Sequence, residues 1–308
     1  MTPLATGTVD RLRGADFLDI AELDRPELEA TLNLAAQIKA GGWRGSPLDG
    51  RTLALLFQKP SMRTRVSFQV GVSRLGGNTV TLGNEEVGLG QRESVADAAR
   101  VLDRYVDGIV ARVNSHEVLL QLAAASERPV INALSDASHP CQVLADLMTM
   151  RESLGRLDGS TRVAFVGDGN NVASSLMEAS ALLGFPLTVI SPAAYRPKPE
   201  RLERAPGVSV TSDLRAAAGS SVIYTDVWTS MGQEAEREDR RADFAEYQGD
   251  AQLMELAPDA FFMHCLPAHR GEEVTSEVID GPRSVVLDQA GNRLYAQMAL
   301  LALIYREA

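Results

Sequence analysis

Two rhythms of apolar and polar positions alternate along the chain. Short apolar-rich runs, TLALLF from Thr52, NTVTLG from Asn78, GIVAR from Gly108 and PVINAL from Pro129, have the length and branched content of strands. Between them lie longer stretches with apolar residues every three to four positions: the one through RVSFQVGVSRLG, stopped by Gly76 and Gly77, then SVADAARVLDRY and HEVLLQLAAA. These read as helices. Ahead of the series, Asp24, Pro26 and ELEATLNLAAQIKA predict a capped amphipathic helix ending near Gly41 and Gly42. HPCQVLADLMTMRESLG from His139 is a long helical stretch whose only proline sits in the first turn, where its missing N–H would have no partner anyway.

The rhythm then restarts. RVAFVGD from Arg162 reads as a strand and SSLMEASALLG as a helix; LTVIS, VSVTS, SVIYTDV, FFMHCL and SVVLDQ follow as strands, and RLYAQMALLALIYRE from Arg293 as a closing helix. Strand and helix alternation with continuous apolar strands predicts an α/β fold of two domains, each with a mainly parallel β-sheet flanked by helices. The expected division is 1–150 and 151–290, with the final helix, 291–308, packing back on the first half.

Composition narrows the function. The 308 residues suit two domains, and 45% hydrophobic with 23% charged residues is ordinary globular usage, which excludes long disorder. Thirty Lys and Arg against 41 Asp and Glu leave a net charge of −11, which argues against nucleic-acid and anionic-membrane partners. An anionic substrate therefore needs a local cationic pocket. MALLALIY from Met298 is far short of the roughly 20 residues of a membrane span, and MTPLATGTVDRLRGAD lacks the apolar core of a signal peptide, so a cytoplasmic protein is expected. Cys141 and Cys265 lack zinc-site spacing and are expected as reduced thiols, with no metal.

Candidate chemistry collects at strand ends. KPSMRTR places Ser61, Arg63 and Thr64 where a helix opens, and helix N–H groups, hydroxyls and a guanidinium suit a phosphate. The alternative is a solvated first turn with Ser61 as N-cap, although two cations there oppose the helix dipole unless an anion is bound. His139 and Gln142 lie three apart at a helix start and share a face. Cys265 ends a strand, at the edge where open α/β sheets bind ligands; its alternative role is a small buried hydrophobe. GDGNN at 167–171 follows a strand and opens a helix, but Val172 stands at the third glycine position, so it is a poor dinucleotide loop. Its plainer reading is a turn with Asn171 as N-cap. DVWTSMG at 226–232 ends another strand with a polar cluster that suits an amino acid's ammonium group, or forms a turn.

In this order SMRTR, HPCQ, DVWTSMG and HCLP resemble the motifs of the aspartate/ornithine transcarbamoylase family, on its ornithine side, over nearly the whole chain from about Ala21, including ARVLDRYVDGIVAR and GNRLYAQ. The resemblance implies transfer of the carbamoyl group of carbamoyl phosphate to the side-chain amine of L-ornithine, giving citrulline and phosphate, with no cofactor. Relatives acting on putrescine or an acylated ornithine are the alternative. It implies that Ser61, Met62 (through its backbone), Arg63 and Thr64 hold the phosphate, and that Thr64, Arg112 and His139 polarise the carbamoyl oxygen. Gln142 and the Leu266 carbonyl would hold the carbamoyl nitrogen, with Arg293 beside the reacting groups. Asn171, Asp226, Ser230 and Met231 would hold the ornithine carboxylate and α-amine, with Cys265 and Asp226 near the side-chain amine. A homotrimer or a multiple of trimers is implied. Met62 replaces a commoner Thr, and Gly88 stands where relatives usually carry Gln or His reaching a neighbouring subunit's phosphate, leaving Gln91 or Arg92 to substitute.

Overall fold

The computed structural model describes residues 10–90, 92–230 and 234–307. The chain forms two compact units, Met1–Met148 with Asn292–Ala308, and Thr149–Gly291.

In the first unit the strands are β1 (Thr52–Phe57), β2 (Asn78–Gly83), β3 (Gly108–Arg112) and β4 (Val130–Leu134), all parallel in the order β2-β1-β3-β4. The helices are α1 (Arg25–Lys39), α2 (Met62–Arg74), α3 (Asn84–Val87), α4 (Val95–Leu102) and α5 (His116–Ala125). Asp24 begins α1 with a reciprocal cap: its carboxylate accepts from the Glu27 N–H at 2.8 Å and Glu27 accepts from the Asp24 N–H at 2.8 Å. The inner strand β3 is buried throughout, whereas the edge strand β2 is partly exposed. Ala54, Leu56, Ile109 and Ala111 pack with Ala98, Leu119 and Leu122 of α4 and α5 as one core. The helix α6 (Pro140–Leu154) follows, and the chain passes into the second unit within it.

The second unit has β5 (Val163–Val166), β6 (Leu187–Ile190), β7 (Ser209–Thr211), β8 (Val222–Thr225) and β9 (Phe261–His264), parallel in the order β7-β6-β5-β8-β9. Its helices are α7 (Asn171–Leu183), α8 (Pro199–Glu203), α9 (Arg237–Asp243), α10 (Ala251–Glu255) and α11 (Ser276–Ile279), and α12 (Val286–Ile304) returns the chain to the first unit. On α2, Gly71 lets α12 come close, since a Cβ there would lie 3.2 Å from Met298 Cγ.

The run SVVLDQ, expected as a strand, is not one. Only Ser284 bridges to Phe262, and α12 starts two residues later, at Val286. Val286 is buried in the unit's core while Leu287 is 79% exposed, so the apolar run serves a helical face and not a sheet layer. Otherwise two parallel sheets flanked by helices match the expected fold class. In both sheets the strand order reverses direction at one place, between β1 and β3 and between β5 and β8. Such reversals open a crevice at the carboxyl ends of the strands.

Candidate active site

At the first reversal, β1 leads into α2. Ser61 caps the helix, its Oγ accepting from the Thr64 N–H at 3.3 Å, which leaves the hydroxyl proton available to a ligand. The cap takes up the Thr64 N–H; backbone N–H groups at such a helix start, which have no acceptor in a preceding turn, favour an anion. Met62 exposes 72% of its surface, so only its backbone belongs to this turn, while Arg63 is half-buried.

Thr64 is fully buried, and its hydroxyl accepts from Arg293 Nη2 at 2.7 Å. The other arm of that guanidinium, Nη1, donates to Gln142 Oε1 at 3.1 Å, and Gln142 Nε2 donates to Asp146 Oδ1 at 2.8 Å. Residues from α2, α6 and α12 are thereby joined in one chain of hydrogen bonds. Arg112, the last residue of β3, is buried, and its carbonyl accepts from the Gln58 N–H at 2.8 Å. His139 precedes α6 and is buried; burial, then the guanidiniums of Arg293 and Arg112, hold its imidazole well below the ordinary histidine range, so it is neutral at pH 7. The turn before it is fastened by the Ser138 hydroxyl donating to the buried Asp19 carboxylate at 2.8 Å. Cys141 is buried with its thiol pushed up to about 12 by burial, and its Sγ meets the Asn132 carbonyl at 3.3 Å; it is a packing residue.

At the second reversal Asn170, not Asn171, caps α7. Its Oδ1 accepts from the Val172 and Ala173 N–H groups at 2.9 and 3.1 Å. The correction has a geometric cause: Asn171 has entered the first helical position, and only the preceding residue keeps the extended backbone that a cap requires. Asn170 Nδ2 crosses from β5 to β8, donating to Asp226 Oδ2 at 2.7 Å. Thr225 and His264 are register partners on β8 and β9, so the next residues, Asp226 and Cys265, emerge side by side. Cys265 Sγ donates to Asp226 Oδ1 at 2.8 Å, and the Val227 N–H donates to the same oxygen at 2.8 Å.

The loop after β8 is anchored by Arg240, whose Nη1 donates to Asp168 Oδ2 at 2.8 Å and to the Trp228 carbonyl at 3.0 Å. Burial raises the Asp168 carboxyl above its ordinary value, with Arg240 opposing. Next to Cys265, His264 Nδ1 accepts from the Leu266 N–H at 2.9 Å, so Nε2 carries the proton and donates to Glu273 Oε1 at 3.2 Å. Leu266 is held at φ 54°, the one left-handed non-glycine residue among those described.

Two sequence models of one family match the chain: "Aspartate/ornithine carbamoyltransferase, carbamoyl-P binding domain" over residues 15–152 and "Aspartate/ornithine carbamoyltransferase, Asp/Orn binding domain" over residues 160–304. The chain belongs to the aspartate/ornithine carbamoyltransferase family. Among its relatives, the ornithine carbamoyltransferase of Symbiobacterium thermophilum is 50% identical over 307 residues, covering 95% of this chain and 98% of that protein. The solved ornithine carbamoyltransferase of Pyrococcus furiosus superposes with a TM-score of 0.93 at 47% identity, covering 97% of this chain and 99% of the other. That of Thermus thermophilus gives 0.87 at 46% identity, covering 95% and 99%.

Against the family motifs, the structure joins Thr64 and Gln142 through Arg293, and brings Asp226 and Cys265 into direct contact. Ser230 is half-buried in the loop after β8; Met231 and Gln91 lie outside the described residues. Gly88 ends α3 at φ 57°, and Arg92 folds over it: a Cβ at Gly88 would lie 2.8 Å from Arg92 Cγ and Cδ. Arg92 Nη1 reaches the Glu85 carbonyl at 3.1 Å. Sequence reasoning missed Asn170, Asp146 and the Asp168–Arg240 pair. Asp146 had a signal, standing four residues after Gln142 on a helix. Two groups among the described residues have metal-ligand atoms within 4.8 Å of one another: Asp226, His264 and Cys265, and His269, Glu272 and Glu273. The hydrogen bonds above engage the first, and Arg237 pairs with Glu272 of the second at 2.5 Å.

Proposed function

We propose that the chain transfers the carbamoyl group of carbamoyl phosphate to the side-chain amine of L-ornithine, releasing citrulline and phosphate. The observation that carries this reading is the buried chain Thr64–Arg293–Gln142 beside Arg112 and a neutral His139. It is a cluster of fixed donors with an amide acceptor, matched to a group bearing both a carbonyl oxygen and an amine.

The first unit takes carbamoyl phosphate. Ser61, Arg63 and the first-turn N–H groups of α2 hold the phosphate; Thr64, Arg112 and His139 donate to the carbamoyl oxygen; Gln142 Oε1 accepts from the carbamoyl nitrogen. The second unit takes ornithine through Asp226, Ser230 and Cys265, with Asn170 fixing the Asp226 carboxylate. The neutral amine of ornithine attacks the carbamoyl carbon, negative charge grows on its oxygen where preorganised donors meet it, and the carbon–oxygen bond to phosphate breaks.

The reading includes a cytoplasmic homotrimer, or a multiple of trimers, with Arg92 supplying the cation that Gly88 does not. An Arg92→Ala chain mixed with an Arg63→Ala chain then regains activity in verified mixed trimers, and simple addition of the parents' activities refutes that role. A citrulline colour assay over a panel of amines tests the reaction itself. Ornithine is the preferred acceptor; preference for putrescine or an acylated ornithine overturns the substrate, and no carbamoyl transfer to any amine overturns the activity.

A further inference from the structure

We infer that Asp146 is a positioning residue that sets the polarity of the Gln142 amide, and through it the site's preference for a carbamoyl over an acetyl group. This rests on the reading that Gln142 meets the carbamoyl nitrogen. Gln142 and Asp146 stand one turn apart on α6, and both are fully buried.

A side-chain amide has a donor end and an acceptor end of nearly the same shape, so its neighbours decide which end a ligand meets. On one side of Gln142 is the Asp146 carboxylate, an acceptor, which takes the Nε2 hydrogen at 2.8 Å. On the other is the Arg293 guanidinium, which can only donate and meets Oε1 at 3.1 Å. The two neighbours agree, and the amide stands with its oxygen on the Arg293 side. Arg293 uses one lone pair of Oε1; the second can accept an N–H.

A carbamoyl group has N–H bonds to offer. An acetyl group presents a methyl in the same place and leaves that lone pair unmet, a difference that a polar site turns into discrimination. Without Asp146, Nε2 loses its buried acceptor, and an unsatisfied buried donor drives the amide to turn or swing away. In either case the carbamoyl amine loses its acceptor, while the phosphate end, held by α2, is untouched.

The test compares dissociation constants of carbamoyl phosphate, acetyl phosphate and inorganic phosphate for the whole enzyme. Wild type binds carbamoyl phosphate more tightly than acetyl phosphate. Asp146→Ala lowers that ratio by about tenfold or more and leaves inorganic phosphate within about twofold. Asp146→Asn, whose Oδ1 still accepts, keeps most of the ratio. Asp146→Ser, too short to reach Nε2, carries the same expectation as Asp146→Ala if the latter does not fold. An unchanged ratio in the folded variant, or an equal loss for all three ligands, overturns the inference and leaves carbamoyl transfer standing. A wild type that makes citrulline yet shows no preference between the two acyl phosphates overturns the assignment of Gln142 itself, and the inference with it.

Discussion

Replacing His139 with Gln should flatten the acid limb of stability. His139 is buried beside two guanidiniums, so burial and like charge both oppose its protonation in the folded chain, whereas the unfolded chain protonates it near the ordinary 6.5. Below pH 6.5 the unfolded state therefore binds more protons, and stability falls as pH falls, by up to about 1.4 kcal/mol per pH unit, until the folded-state pKa is reached. The dependence fades over about one pH unit above 6.5, as the unfolded imidazole also becomes neutral. Integrated from pH 6.5 to 5.5, this one group costs about 1 kcal/mol. Denaturant titrations of wild type and His139→Gln at pH 7.5, 6.5 and 5.5 measure it as a difference, which cancels the other titrating groups. Wild type should lose about 1 kcal/mol more than the variant over the last step. Equal acid slopes, or a ring-nitrogen resonance of folded His139 that titrates near 6.5, would refute the reasoning. The catalytic corollary is that kcat/KM carries no His139 limb at the ordinary histidine value of about 6.5, because the buried imidazole is still a neutral donor there.

Arg112→Ala should lower kcat by about 10² to 10³, the usual cost of a preorganised oxyanion donor, while Arg63→Ala chiefly weakens carbamoyl-phosphate binding; near-normal turnover in the first or unchanged affinity in the second removes the assigned role. Cys265→Ser should raise KM for ornithine more than for carbamoyl phosphate, and wild-type activity should climb toward alkaline pH as the amine, of reference pKa about 10.4, is neutralised. Equal losses for the two substrates would detach Cys265 from the amine. Gly169→Ala should destabilise the chain by about 1 to 3 kcal/mol in a thermal melt, because the new Cβ would lie 2.3 Å from Pro197 N and 2.6 Å from Pro197 Cδ, where backbone cannot give way easily. A melting temperature equal to wild type would show that the turn relaxes.

Much of the fold is written locally. TLALLF, NTVTLG and GIVAR form strands with the boundaries their apolar runs predict, and HEVLLQLAAA forms its helix end to end, because hydrophobic burial and caps act over a few residues. Asp24 with Glu27 is a capping pair legible from spacing alone. SVVLDQ shows the limit: a short apolar run satisfies either period, and only the packing of Val286, with Leu287 left outside, made it the start of α12.

The candidate site divides in the same way. Residue types, their order and their places at strand ends stood in the sequence, and with them the chemistry of an anion-binding helix turn. Which atoms meet was decided by the tertiary structure. Arg293 lies 229 residues from Thr64 and 151 from Gln142, yet one guanidinium bonds both, since α12 returns to the unit that holds α2. The Asp226 and Cys265 contact depends on the register of β8 with β9, and the neutral state of His139 on burial beside Arg112 and Arg293. Registers, burial and charge neighbours are properties of segments brought together from far along the chain, and no local pattern of residues carries them.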